Sequence, residues 1–303
     1  MRVFVTGASG WIGSAVVPEL LSHGHEVLGL ARSDAAAEKV AGFGAEVLRG
    51  DVQDIDVLRA GAEQADGVVH LAFRHDVAFA GDFDTAIASN QAAIETFGEA
   101  LAGSDRPFAI ASGIPVEPGK VATERDRPEP SPGAGGRFLN ERTVLGLADR
   151  GVRSMALRFA PTVHGKGDNG FTAMIVAADR AAGQGAYVGE GTNRWAAVHR
   201  SDAARLVRLA IERAPAGSVL HGVSEEGVAL RDLAGAISRR YQLQLTAISP
   251  EDAAARFGFL AAFVALDMPA SSAITRDLLG WEPTGPTLIE DIETGAYSNG
   301  SHG

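Results

Sequence analysis

Residues 2–21 read Arg2-Val3-Phe4-Val5-Thr6-Gly7-Ala8-Ser9-Gly10-Trp11-Ile12-Gly13-Ser14-Ala15-Val16-Val17-Pro18-Glu19-Leu20-Leu21. The run Arg2 to Val5 predicts a buried strand, and from Ser14 onward the apolar spacing is that of a helix. A strand that stops at a glycine turn and restarts as a helix leaves the first amides of that helix unpaired, and the missing side chains let a diphosphate approach them. Gly7 is assigned the tight turn, Gly10 the close approach of the pyrophosphate, and Gly13 the packing of helix on strand. Ser9, Trp11 and Ile12 complete the cradle. The stretch predicts a dinucleotide site at the head of an α/β domain.

Working outward, Gly24 ends the first helix and Glu26 to Ala31 reads as the second strand. An acidic residue at its end would bind the ribose 2′-hydroxyl of NAD. Here Arg32 and Ser33 offer a cation and a hydroxyl to a 2′-phosphate, with Asp34 beside them as a partial neutraliser. A charge-assisted bond of that kind contributes about 1.5–3 kcal/mol, so NADP(H) is the expected cofactor. The plainer reading of Arg32 is a solvated strand end. Ala45–Leu48, Gly67–Leu71, Phe108–Ser112 and Val152–Phe159 read as further strands, with helical spacing over Thr85–Leu101 and Arg137–Arg150. Pro115 to Gly136 holds five prolines and four glycines without periodicity, and a loop of that length is expected to border the substrate or to be a mobile insertion.

The spacing Thr6-Gly7-x-x-Gly10-x-x-Gly13 resembles the extended branch of the short-chain dehydrogenase/reductase superfamily, of NAD-dependent epimerase/dehydratase type. The resemblance implies a doubly wound parallel-sheet Rossmann domain over residues 1–165, rejoined by about 196–224. It implies a smaller discontinuous C-terminal substrate lobe from 166–195 and 225–297, leaving 298–303 as a flexible tail. Gly50-Asp51-Val52 matches the family's segment beside the adenine, and His70-Leu71-Ala72, continued by Phe73, its segment at the nicotinamide ribose. Leu157 to Gly165 matches the turn under the nicotinamide, which brings in Phe159 and Thr162, and Asn90 matches an Asn that braces the site. Trp195 to Asp202 matches a segment ending Val-His-x-x-Asp that leads into a helix from Ala203. Asp51 and Asp202 also read as plain helix N-caps, His70 is expected to be structural, and a mid-helix Asn90 has a surface reading too.

The family reduces carbonyls with a Ser, a Tyr and a Lys, the last two spaced Tyr-x-x-x-Lys. Aligned on Glu141, the Lys position holds Arg137, the Tyr position Gly133, and the Ser position Ser112 or Gly113. The resemblance is therefore to an atypical subgroup lacking the Tyr-x-x-x-Lys motif. Arg137 can hold ribose hydroxyls and set a permanent charge near a developing oxyanion, but its pKa bars it from being the acid. Losing a positioned acid forfeits about 10²–10⁴ in rate. Water, the substrate, or His75, Asp76 or Tyr187 must then supply the proton. The plainer reading of Arg137 is a surface i, i+4 pair with Glu141.

A formal charge of −11 and a pI near 5.2 argue against nucleic-acid and anionic-membrane partners. The absence of cysteine excludes disulfides, thiolate catalysis and Cys-based zinc sites, and the eight histidines show no metal-ligand spacing, so no metal is expected. No segment approaches a membrane span and Met1 leads straight into the first strand, which suggests a cytoplasmic protein. The Ala/Leu-rich faces of 85–101 and 137–148 permit the homodimer that the family forms there. The sequence predicts an NADPH-dependent oxidoreductase acting on a small-molecule carbonyl, imine or activated double bond. A non-redox isomerase, epimerase or lyase on the same fold, or a catalytically decayed NADP-binding sensor, remain the alternatives.

Overall fold

The computed structural model describes residues 1–297, and the expected tail lies outside the described residues. The first half alternates strand and helix: β1 (Arg2–Thr6), α1 (Gly13–Ser22), β2 (Glu26–Ala31), α2 (Asp34–Gly42), β3 (Glu46–Arg49), α3 (Ile55–Glu63) and β4 (Gly67–His70). Then come α4 (His75–Phe79), α5 (Phe83–Leu101), β5 (Pro107–Gly113), α6 (Arg137–Gly146), β6 (Arg153–Phe159) and β7 (Thr162–His164). The rest comprises α7 (Phe171–Ala182), β8 (Gln184–Val188), β9 (Arg194–His199), α8 (Arg200–Arg213), β10 (Ser218–Gly222), β11 (Glu225–Ala229) and α9 (Leu230–Tyr241). It closes with β12 (Gln244–Ile248), α10 (Ala253–Phe257), α11 (Ala261–Val264), α12 (Ala273–Leu279) and α13 (Leu288–Thr294).

Seven strands form one parallel sheet in the order β10-β6-β5-β4-β1-β2-β3. Val3, Phe4 and Val5 of β1 have no exposed surface, as expected of a central parallel strand covered on both faces. One face packs against α1 and α8 through Val16, Leu20, Leu206 and Ile211, the other against α3, α5 and α6 through Leu58, Phe97 and Val144. The winding reverses between β1 and β4, which opens a crevice at their carboxyl ends. A smaller C-terminal region has its own core around Ile175, Trp195, Leu233 and Leu288. Its strands form two small sheets, β11-β9-β7 and β12-β8.

Three local expectations change. Asp202 does not cap α8: His199 occupies that position, and Asp202 lies buried in the first turn, where it accepts from the amides of Thr284 and Gly285 and from Arg205. Asp51 does not cap α3, whose N-cap is Asp54; its carboxylate instead accepts from the Gln53 amide at 3.1 Å. The proline-rich segment is a tethered strap. The carbonyls of Thr123 and Asp126 accept from buried Arg158, and Glu124 accepts from the amide and hydroxyl of Thr275 at 2.8 and 2.7 Å. The apolar stripe of α5 (Ala86, Ile87, Ala93, Ile94, Phe97, Leu101) is buried within the chain, leaving Leu139 as the large apolar side chain exposed on α5 and α6.

Candidate active site

The carboxyl ends of the central strands open into a cavity of about 1070 Å³. That is about the upper bound of the roughly 300–1,000 Å³ of an ordinary small-molecule cleft. At one end lies the glycine cradle. Gly7 has φ +69°, and the Gly10 amide donates to its carbonyl at 2.9 Å. A Cβ on Gly13 would stand 2.0 Å from the Gly7 carbonyl oxygen, so only glycine lets α1 start here. No side chain caps α1 and no acidic residue sits in its first turn, so its amides and its positive dipole end face the cavity unopposed. These residues fit the diphosphate of a dinucleotide.

Arg32 and Ser33, just after β2, also line the cavity. Asp34 does not neutralise Arg32, because it is taken by Arg49 at 2.7 Å; Arg32 itself has no partner among the described residues. The Ser33 hydroxyl accepts from the Ala36 amide and so caps α2. Lys39, which the sequence reading missed, reaches back from α2 to donate to the Ser9 carbonyl at 2.8 Å. Its signal was its place on the helix that Ser33 starts. Asp51 and Val52 line the cavity too.

Leu71, Ala72, Phe73, Phe159 and Thr162 line the middle of the cavity. The buried Thr162 hydroxyl has no partner among the described residues, an orphaned polar group suited to a nicotinamide carboxamide. Behind this wall runs a buried hydrogen-bond chain. The Ala72 amide donates to Thr6 Oγ1 (3.3 Å), Thr6 lies 2.7 Å from His70 Nδ1, and His70 Nε2 lies 2.8 Å from Asn90 Oδ1. An amide oxygen only accepts, so Nε2 carries the proton and Nδ1 accepts from Thr6. Asn90 in turn donates to Asn140 at 2.9 Å. Burial holds His70 down to about 4, so it is neutral at pH 7. Asn90 is thus a brace one layer behind the cavity wall. Asn140, three residues after Arg137 on one helix face, is the partner that sequence reading missed.

Arg137 lines the cavity, donates to the Ala111 carbonyl at 3.2 Å, and lies 4.6 Å from the centre of the Phe73 ring. It does not pair with Glu141. That carboxylate is buried and held by Arg158 at 2.5 and 3.0 Å, and Ser112 donates to it at 2.9 Å. Burial pushes Arg137 down to about 10, with the charge of Glu141 opposing, so it stays cationic at neutral pH. Ser112 touches the cavity, but its proton is committed to Glu141. Gly133 leads the short turn before α6, with open space where a side chain would stand.

His75 and Asp76 line the far end, whereas Tyr187 does not: it sits on β8 beneath Arg231, away from the cavity. Its strand pairs with β12, an arrangement that no local pattern announces. Desolvation against the wall, and then the charge of Arg137, hold His75 below the ordinary histidine range, a pull that its solvent-exposed edge screens. Asp168, at the break after β7, is an acidic residue of the cavity that sequence reading overlooked. It lines the cavity and accepts from the Gly170 amide at 2.7 Å and from Tyr297 at 2.8 Å, and burial raises its pKa. An Asp two residues before a glycine signals only a turn.

The model of the "NAD dependent epimerase/dehydratase family" matches residues 3–221. The chain is 43% identical over 300 residues to the uncharacterized protein C2A9.02 of Schizosaccharomyces pombe, covering 98% of this chain and 100% of that one. It is 24% identical over 244 residues, 76% of this chain and 73% of the other, to a decarboxylating sterol-4-alpha-carboxylate 3-dehydrogenase of Dictyostelium discoideum. Among solved structures it is similar to MoeE5 in complex with UDP-glucuronic acid and NAD, with a TM-score of 0.77, 25% identity, and coverage of 98% of this chain and 99% of that one. With this sheet order, the glycine cradle at its switch point and a match across most of its length, the chain belongs to the NAD-dependent epimerase/dehydratase family.

Proposed function

We propose that the protein is an NADPH-dependent oxidoreductase that reduces a carbonyl, imine or activated double bond of a small organic molecule. The observation that carries this reading is the cationic Arg137, inside the cavity and without a carboxylate partner among the described residues. A fixed charge there favours negative charge that develops on a substrate oxygen or nitrogen and needs no proton exchange. The cradle at Gly7, Gly10 and Gly13 would hold the diphosphate, and unpaired Arg32, with Lys39 nearby, favours a 2′-phosphate over a bare ribose. When bound, reduced nicotinamide supplies a hydride. Carbonyl reduction also places one proton on oxygen. Arg137 holds its proton too tightly to give it, and neutral His75 has none to spare as an acid. Asp168, which lines the cavity and whose pKa burial raises above the ordinary carboxylate range, is the cavity group suited to that task.

The test is direct. Purified protein given NADPH and a panel of carbonyls should consume NADPH one-for-one with product, and Arg137→Met should lower kcat by about 10²–10³ while far-UV circular dichroism is unchanged. Full activity in that variant would end the electrostatic role. A second reading, favoured by the UDP-sugar and NAD of MoeE5, is an epimerase or dehydratase with no net redox. Product formation at constant NADPH would establish it.

A further inference from the structure

The geometry points to an uncharged, flat, apolar carbonyl compound, aromatic or conjugated, as the substrate, to the exclusion of sugars and nucleotide diphosphates. This rests on the reductase reading above and narrows it. The wall beyond Arg137 is a band of rings drawn from both parts of the molecule. Phe73 meets His75 at 5.1 Å and His75 meets Phe79 at 5.3 Å on the Rossmann side. Phe79 then crosses to Phe259 at 4.8 Å, and Phe263 and Phe171, 5.0 Å apart, continue the band. Side-on rings of this kind present flat apolar faces, to which a planar ligand adds by offset or edge contact.

The band is also unfilled. Of the large apolar side chains that the fold leaves exposed, Phe79 (44%), Val116 (43%), Met174 (39%) and Leu266 (38%) all line this cavity, and Phe259 (37%) packs on Phe79 at its mouth. Half-wet apolar groups gathered at one opening are a binding patch, because a ligand that covers them removes that surface from water. Charge argues the same way. The cations that line this half, Arg74 and Arg137, share it with the acidic residues Asp76 and Asp168, so no cluster of cations awaits a diphosphate. Arg137 is turned onto the Ala111 carbonyl and the Phe73 ring. A diphosphate would leave water for a wall made largely of rings, and the hydroxyls of a sugar would lie against rings that offer no hydrogen bond. One positioned cation and a flat apolar wall suit a molecule with a single polarised oxygen.

Calorimetric titration of the NADPH-loaded protein with benzamide, acetamide and UDP-glucose separates these chemistries with the same carbonyl present or absent a ring. Benzamide should bind at least about tenfold more tightly than either other compound, the gain expected from covering one ring's apolar surface. Phe79→Ala and Phe259→Ala, at exposed positions that do not threaten folding, should each remove most of that preference while the Kd for NADPH moves less than twofold. Equal affinity for benzamide and acetamide, tighter binding of UDP-glucose, or no binding of benzamide would overturn the assignment. Turnover distinguishes it from the reductase reading. Benzamide binding without reduction of benzaldehyde sinks the reductase and keeps the apolar site, whereas reduction of glyceraldehyde and benzaldehyde with equal KM keeps the reductase and sinks the apolar site.

Discussion

The proposed preference for NADPH rests on a single guanidinium, that of Arg32. Because Arg49 has already engaged Asp34, the charge of Arg32 is undiminished at the mouth of the cavity. Arg32→Ala should therefore weaken NADPH about ten- to a hundred-fold and NADH less than twofold, by fluorescence titration; equal losses would return Arg32 to the solvated strand end. His70 makes a prediction about pH. Its folded pKa of about 4 lies below the unfolded 6.5, so between these values the unfolded chain binds the proton and the folded chain does not. Stability should thus be intact above about pH 6.5 and fall as pH drops toward 4, by about 3 kcal/mol from this residue. Urea melts at pH 7 and 4.5 would show the slope, part of which His199 and His221 also carry, since burial lowers both. The share belonging to His70 is the part that vanishes in His70→Gln, and an unchanged slope there would exclude it.

Two helices carry the site. The start of α1 depends on Gly13, where an added Cβ would strike the Gly7 backbone at 2.0 Å with no flexible side chain to yield. Gly13→Ala should cost about 1–3 kcal/mol of stability and also remove dinucleotide binding, because the cradle itself must move; calorimetry with NADPH checks the second effect. Helix α6 is held by a different device. Its Glu141 pairs with Arg158 of β6, and neither side chain exceeds 4% exposure. Breaking such a pair leaves a buried charge without its counterion, so Glu141→Leu should destabilise by about 3–5 kcal/mol, and adding Arg158→Met should recover much of it. An additive double-mutant cycle would show that the two charges do not act together.

At the scale of the molecule, the strap between β5 and α6 is tied to α12, which packs against β10 and α8 of the main core. Glu124 of the strap is 4% exposed and takes both the amide and the hydroxyl of Thr275 on α12, while Ala122 bridges to Ala270. Glu124→Ala should leave two buried donors unpaired, cost about 1–3 kcal/mol or more, and open residues 115–132 to limited proteolysis. Unaltered cleavage would mean that the strap is held elsewhere. Its two ends supply Ile114, Val116 and Ser131 to the cavity wall, so loosening it should also raise the KM for substrate.

What could be read along the chain was whatever a few neighbouring residues decide. The strand–glycine–helix opening, the parallel α/β order and the cation at the end of β2 follow from periodicity, missing Cβ atoms and residue type. The family's register brought Arg137 to attention through Glu141, though it could not say which partner Glu141 would choose. That pairing spans 17 residues, and the link from Thr6 to His70 spans 64. A charge bonds to whatever folding places within about 3 Å of it, not to its neighbour in sequence. Only the tertiary structure therefore freed Arg137 and Arg32, moved Asp202 off its cap, put Tyr187 outside the cavity and brought Asp168 into it. The ring band is of the same kind, since Phe73, Phe79, Phe171, Phe259 and Phe263 sit on separate elements that share no period and meet only where both parts of the fold close on one opening.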